Sequence, residues 1–265
     1  MRLVATMFVL ASAAFAASSG DPTPAQIDDI IAKFAAKETA FAKARSNYTY
    51  RQTAKIEELD DSGSTVTGRY QIVSDIIFTP EGHRIEKVAY APVSSLHNII
   101  LTPEDEQDLR DVQPFVLTSE EVSNYYVRYL GRDQLDEISC YSFAVKPKKM
   151  EQGKRYFEGI VWVDDQDLQI VKSYGRGIGL LKRNSDNQFP KFETYREQVD
   201  GKYWFPTYTI ANDTLNFKDN SQRIRMTVKY QDYKQFKSDV QIKYDTQDAG
   251  KDQPKPPASK PPTQP

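Results

Sequence analysis

The sequence is poor in the residues that most often supply cross-links or metal ligands. Its 265 residues include one cysteine and two histidines. A single cysteine excludes an intramolecular disulfide, and Cys140, in the apolar run DEISCYSFAVK, is predicted to be a small buried residue. Neither His83 nor His97 has a second histidine, a cysteine or an aspartate at zinc-ligand spacing. The sequence therefore predicts no metal site and no cofactor.

Long apolar runs and an excess of one charge are also missing. Beyond residue 16, no segment approaches the roughly 18 consecutive apolar residues of a membrane-spanning helix. The 35 basic and 37 acidic side chains are interspersed and give a net charge of −2. Such a balance is not typical of proteins that bind nucleic acid or an anionic membrane surface. We therefore expect no nucleic-acid partner and no transmembrane segment in the mature chain.

The two ends of the chain differ in composition from its middle. Residues 1–16 combine Arg2, an apolar stretch and the small-x-small triplet Ala14-Phe15-Ala16, which is the pattern of a secretory signal peptide. The prolines of residues 248–265 can neither pair in a sheet nor continue a helix. We expect a signal peptide over 1–16, one domain over 17–247 and a disordered proline-rich tail over 248–265. The alanine-rich leader favours export to the periplasm of a Gram-negative bacterium.

One amphipathic helix is predicted near the start, followed by many strands. Residues 24–46 repeat apolar side chains at helical spacing: Ile27, Ile30, Ile31, Phe34 and Phe41. The period then changes to two, and short alternating runs are separated by turns rich in Asp, Gly, Asn and Pro. Regular short strands with tight turns indicate one antiparallel sheet rather than a parallel βαβ fold.

Between residues 92 and 131 the pattern is less regular. The stretches TPEDEQDLRD and LTSEEVSNYYVRYL each carry a capping Thr or Ser and an acidic first turn, so they predict two short helices over one face of the sheet. With about 9–11 strands, an open sheet of normal twist must curve strongly. The predicted fold is α+β and mainly β: a strongly curved antiparallel half-barrel covered by the N-terminal helix and the short middle helices.

Acidic residues and glycines supply the remaining candidates for chemistry. The run from Asp164 to Asp167 lacks the glycine and glutamate of a calcium loop and lies between two apolar strands, so it predicts a hairpin turn. Glu193 and Glu197 would lie roughly 13 Å apart on one strand face, farther than glycoside hydrolysis requires. The glycines of SYGRGIGLL do not open a helix after a strand, so they predict a loop or an irregular strand end instead of a phosphate cradle.

The segment GIVWVDDQDLQIVKSYG carries a family resemblance. It resembles the tryptophan-valine-aspartate strand and return strand of the LolA/LolB/RseB superfamily of periplasmic lipoprotein carriers and lipid-sensing domains. The order of leader, amphipathic helix, tyrosine-rich first strand, helical cover and antiparallel strands over residues 25–245 is also similar to that superfamily. The resemblance implies a half-barrel whose concave side is closed by helices and takes acyl chains, without catalytic residues.

The sequence and the resemblance together predict an exported, non-enzymatic protein that holds a hydrophobic ligand, such as an acyl chain or a lipoprotein lipid. The resemblance implies a role in outer-membrane lipoprotein or lipid sorting. The candidate lining residues share the apolar faces of strands: Tyr48, Tyr50, Tyr70, Ile72, Phe78, Ile160, Trp162, Ile224, Met226 and Val228. Two alternatives stay open. One is an envelope scaffold or sensor that binds another protein through its sheet or its tail. The other is a hydrolase with two carboxyls within about 10 Å of each other.

Overall fold

The computed structural model describes residues 21–79, 83–181 and 188–236. The expected signal peptide (1–16) and proline-rich tail (248–265) lie outside the described residues. The helices are α1 (Pro24–Arg45) and α2 (Pro103–Gln107), with a π-helical turn at Asp108–Val112 and a 3-10 turn at Val122–Asn124. The strands are β1 (Tyr48–Leu59), β2 (Val66–Phe78), β3 (Arg84–Tyr90), β4 (Tyr125–Leu135), β5 (Ile138–Pro147), β6 (Arg155–Asp164), β7 (Ile170–Gly179), β8 (Phe192–Gln198), β9 (Trp204–Asn216) and β10 (Ser221–Gln235).

These ten strands form one open sheet in the order β3-β2-β1-β10-β9-β8-β7-β6-β5-β4, and each neighbouring pair is antiparallel. The predicted mainly β fold with a curved antiparallel sheet is confirmed. The predicted turn between β6 and β7 is also confirmed, because Asp164 Oδ1 accepts hydrogen bonds from the backbone N–H groups of Gln166 and Asp167. Cys140 is fully buried, as predicted.

Residues 91–124, which we call the crossing segment, connect the two edges of the sheet, because β3 and β4 are its outermost strands. Leu109, Val112, Phe115 and Leu117 of this segment belong to the same hydrophobic core as Phe34 of α1. The crossing segment and α1 therefore cover one face of the sheet, which we call the core face.

Helix α1 begins and packs as its sequence predicts. Thr23 and Gln26 form a capping box, and Pro24 occupies the first turn, where its missing N–H costs nothing. The buried residues of the helix follow at spacings of one, three and four: Ile30, Phe34, Ala35, Glu38 and Phe41. Full burial of a phenylalanine side chain contributes roughly 1.5–3 kcal/mol, so Phe34 and Phe41 stabilise the docking of α1 most directly.

The helix predicted from LTSEEVSNYYVRYL is wrong. The described structure has only the 3-10 turn there, and the chain continues as β4, which pairs with β5. Tyr125, Val127 and Tyr129 alternate toward the core, so the pattern has a period of two. The strand preference of these aromatic and β-branched side chains, together with pairing to β5, outweighs the helix-start signal of one acidic turn.

The three glycines expected in a loop or an irregular strand end all lie in β7, Gly175 and Gly177 in its interior and Gly179 as its last residue. A Cβ atom at Gly177 would stand 1.9 Å from Asp108 Oδ2, and one at Gly175 would stand 2.7 Å from the Phe157 ring. Glycine is needed at both positions because the crossing segment and the neighbouring strand approach the backbone of β7 closely.

A buried ion pair attaches α1 and the crossing segment to the sheet. Arg196 Nη1 of β8 donates to both carboxylate oxygens of Glu38, at 3.1 and 3.2 Å, and its Nη2 donates to the carbonyl oxygen of Phe115. The Glu38 carboxylate also accepts the backbone N–H of Ile170 at 3.2 Å. Burial raises the pKa of Glu38 and lowers the pKa of Arg196, while their mutual attraction opposes both shifts.

We expect Glu38→Met or Arg196→Met alone to lower the free energy of unfolding by about 3–5 kcal/mol, because each leaves one uncompensated buried charge. The double variant should lose clearly less than the sum of the two, since no buried charge remains. Urea unfolding of the four proteins measures this. Asp29→Asn, which breaks an exposed pair with Lys33 on the same helix, is the control and should change stability by less than about 1 kcal/mol. Additive losses in the double variant would contradict the pairing.

Candidate functional site

A cavity of about 400 Å³ lies between the core face and the crossing segment. The sheet contributes Ile56, Phe192, Leu215, Ile224 and Met226, and the turn after β9 contributes Phe217. The crossing segment contributes Ile99, Ile100, Leu101 and Leu109, and Phe189 and Pro190 precede β8 on a third side. The volume falls within the roughly 300–1,000 Å³ of small-molecule sites.

A few polar groups are set into this apolar lining. They are Asn98, Thr102, Asp105, Asp108, Gln113 and Gln188. A predominantly apolar wall with few polar groups is the usual composition of a site that buries an apolar molecule and orients its polar end.

Glu58 of β1 fixes the crossing segment at one side of the cavity. Its fully buried carboxylate accepts hydrogen bonds from three successive backbone N–H groups, those of His97, Asn98 and Ile99, at 2.6–3.1 Å. A Cβ atom at Gly68 would stand 2.6 Å from Glu58 Oε2, so glycine on β2 leaves room for the carboxylate. Successive backbone amides that converge on one anion form a strong anchor.

Asp108 fixes the crossing segment at a second point. Arg155 of β6 donates from Nε to Asp108 Oδ1 at 2.8 Å and from Nη2 to Oδ2 at 2.6 Å. The guanidinium carbon lies 3.7 Å from the centroid of the Phe189 ring, which lines the cavity. Burial raises the pKa of Asp108 to about 6, although Arg155 opposes the shift. The Asp108 carboxylate is therefore held in the wall of the cavity by Arg155 and does not project freely into the cavity.

Asp105 is the second carboxyl that lines the cavity, and burial raises its pKa as well. One buried and one half-buried carboxyl with raised pKa values are the kind of pair that a hydrolase would require. However, Asp105 Oδ2 accepts hydrogen bonds from the backbone N–H and the hydroxyl of Thr102, at 2.8 and 2.7 Å, and so begins α2. Both carboxyls thus have structural partners. Within the described ranges, no cluster of three or more His, Cys, Asp or Glu side chains could hold a metal ion.

The ten lining residues expected from the sequence lie in several places. Ile224 and Met226 line the cavity. Tyr70 and Ile72 line a smaller cavity of about 200 Å³, which Leu109 also lines. Tyr50, Phe78 and Val228 pack in the main hydrophobic core, and Tyr48 packs in a smaller cluster with Phe41 and Phe205.

Ile160 and Trp162 lie on the opposite face of β6. Phe157, Val161 and Val163 occupy the core positions of that strand, and side chains alternate along a strand. Trp162 Nε1 instead donates to an Asp133 carboxylate oxygen at 2.8 Å on the outer face. These two residues therefore do not line the cavity.

The crossing segment lines part of the cavity, which its sequence pattern does not predict. Its apolar triplet Ile99-Ile100-Leu101 has neither a helical nor a strand period, so no face could be assigned to it. One signal was present: three consecutive large apolar residues in a segment bounded by polar turns are unusual in a solvated loop.

Matches with solved structures cover most of the chain. A DUF1329 family protein from Desulfovibrio piger is 11% identical over 81% of this chain and 94% of that one, with a TM-score of 0.39. A LolA superfamily protein from Nitrosomonas europaea is 13% identical over 79% and 93%, with a TM-score of 0.35. A structure of the Pseudomonas aeruginosa MucA/MucB complex gives 11% identity over 76% and 93%, with a TM-score of 0.22. The Nitrosomonas europaea structure carries the name of the superfamily that the sequence resembles.

No family model and no curated protein matches the chain. With identities of 11–13% and TM-scores of 0.22–0.39, these matches carry no argument about function. The ligand must therefore be inferred from the chain's own residues. None of the helices in the described ranges is long and apolar enough to cross a membrane.

We expect the backbone amides of residues 97–99 to exchange their hydrogens at least roughly tenfold faster in Glu58→Gln than in the wild type. The glutamine side chain has one acceptor oxygen, which cannot accept all three hydrogen bonds. Exchange measured by mass spectrometry or NMR tests this. Glu57→Gln is the matched control, because Glu57 is equally buried but pairs with Arg69 and Arg225 instead. Equal protection of these amides in the wild type and Glu58→Gln would contradict the anchoring role.

Proposed function

We propose that the chain is an exported, non-enzymatic binding protein that holds a hydrophobic ligand, such as an acyl chain or a lipoprotein lipid, between the crossing segment and the core face. The observation that carries this proposal is the apolar cavity of about 400 Å³. Protein interiors are otherwise closely packed and have few voids larger than a water molecule. A cavity of this size with an apolar lining supports the binding of an apolar molecule.

The affinity for a hydrocarbon chain should increase with the number of methylene groups that the chain buries against the cavity wall. Each buried methylene contributes about 0.8 kcal/mol, which is roughly a fourfold change in affinity. The side chains of Leu101, Leu109, Ile224 and Met226 offer such contacts from both sides of the cavity. Affinity should therefore rise with chain length until the cavity is filled.

The proposal also includes the periplasmic location of the protein and its lack of catalytic activity. The leader-like residues 1–16 support export to the periplasm, where sorting of outer-membrane lipoproteins or lipids is the proposed role. The bonding of Asp105 to Thr102 and of Asp108 to Arg155 supports binding without catalysis, because neither carboxyl is free to transfer a proton to a ligand.

An envelope scaffold or sensor that binds another protein is the second candidate. Strand β3 lies at an edge of the sheet and exposes Ile85, Val88 and Tyr90. The unpaired backbone of an edge strand can accept a strand from another protein. The tail over residues 248–265 is the other proposed docking element. This candidate differs from the first because it requires no ligand in the cavity.

We expect Ile100→Glu to weaken the binding of an apolar dye about fivefold or more, because it places a charge at the mouth of the cavity. The dye is N-phenyl-1-naphthylamine, whose fluorescence rises in apolar surroundings, and titration gives the dissociation constant. Ile100 is 88% exposed and lines the cavity, so the variant should fold.

Val93→Glu is the matched control for this experiment. Val93 is 97% exposed in the same crossing segment but does not line the cavity, so the dye should bind this variant as it binds the wild type. Failure of the wild type to bind the dye would overturn the proposal. Equal weakening in both variants would place the dye outside the cavity.

A further inference from the structure

Gln113 carries an unsatisfied buried acceptor at the cavity. The residue lines the cavity and is only 3% exposed, and no hydrogen-bond donor among the described residues reaches its Oε1. More than nine-tenths of buried polar groups in proteins have a partner, so an unpaired amide oxygen needs an explanation. A ligand that donates a hydrogen bond would supply that partner.

The other polar atoms of Gln113 each have a hydrogen-bond partner, which orients the side chain. Its side-chain Nε2 donates to Met226 Sδ at 3.3 Å, and its backbone carbonyl accepts the hydroxyl of Thr194 at 2.9 Å. Its backbone N–H donates to the carbonyl of Asp108 at 2.9 Å and so ends the π-helical turn. The Gln113 side chain is therefore a preorganised acceptor.

The charges around the cavity disfavour an anionic ligand. Asp105 and Asp108 both line it, and no lysine or arginine is among the described lining residues. Arg155, the cation nearest to Asp108, already binds that carboxylate through two N–H groups. A free fatty-acid carboxylate would therefore lose its hydration without gaining a positive partner.

We propose that the cavity selects a neutral amphiphile whose hydroxyl or amide N–H donates a hydrogen bond to Oε1 of Gln113, while its hydrocarbon chain packs against the apolar wall. This inference rests on the proposed function and adds the chemical class of the polar end. A site built around a buried acceptor discriminates against an analogue that lacks the donor, because the acceptor is then left unpaired.

Three probes with one alkyl chain test the inference: 1-decanol, its methyl ether and decanoate. Each is titrated against the dye-loaded full chain at pH 8. We expect the wild type to bind decanol roughly three- to tenfold more tightly than the ether, which has no donor, and more tightly than decanoate. Because this comparison uses the wild type alone, it does not depend on whether a variant folds.

Gln113→Met keeps an unbranched side chain of similar size and removes the amide. We expect it to bind the ether as the wild type does and to lose the preference for decanol. Equal affinity of the wild type for decanol and its ether, or a preference that survives in Gln113→Met, would overturn the inference and leave hydrophobic binding intact. Failure of all three probes to bind would overturn the proposed function together with the inference.

Discussion

The arrangement of elements over the sheet depends on the ion pair between Glu38 and Arg196. Arg196 binds the carboxylate of α1 and the carbonyl of Phe115 in the crossing segment at the same time, and its guanidinium lies 5.1 Å from the Phe41 ring. Two charges removed from water are tolerated only while each keeps its partner. The pair therefore favours one relative position of α1, β8 and the crossing segment, where apolar contacts alone would allow several.

The cavity follows from the path of the chain and from three polar anchors. The crossing segment joins the two edges of an open sheet and must therefore pass over one of its faces, and its buried apolar residues place it over the core face. Glu58 holds it near residues 97–99, Arg155 holds it at Asp108, and Arg196 holds it at Phe115. Because polar bonds fix the segment at these points, its apolar residues do not collapse fully onto the sheet, and the space between them is the candidate binding site.

Local patterns could predict most of the fold but only part of the site. Strands and α1 were predictable because their periods of two and 3.6 are local properties. In β6 both alternating sets contain large apolar residues, Phe157 and Val161 on one face and Ile160 and Trp162 on the other, so the sequence alone could not assign the core face. The partners of Glu38 and of the Gln113 amide lie far away in the sequence. For Glu38 one signal existed, because a carboxylate within the apolar stripe of a helix is rarely left unpaired.

Native mass spectrometry of the processed chain shows whether the cavity holds a hydrophobic ligand. The protein would be exported in a Gram-negative host, purified from the envelope without detergent and sprayed from a volatile buffer. A cavity that holds a hydrophobic ligand predicts a population with a lipid-sized mass adduct, which dissociates on collisional activation to the mass of the chain alone. A single mass equal to that of the chain, unchanged after incubation with an envelope lipid extract, would contradict the account.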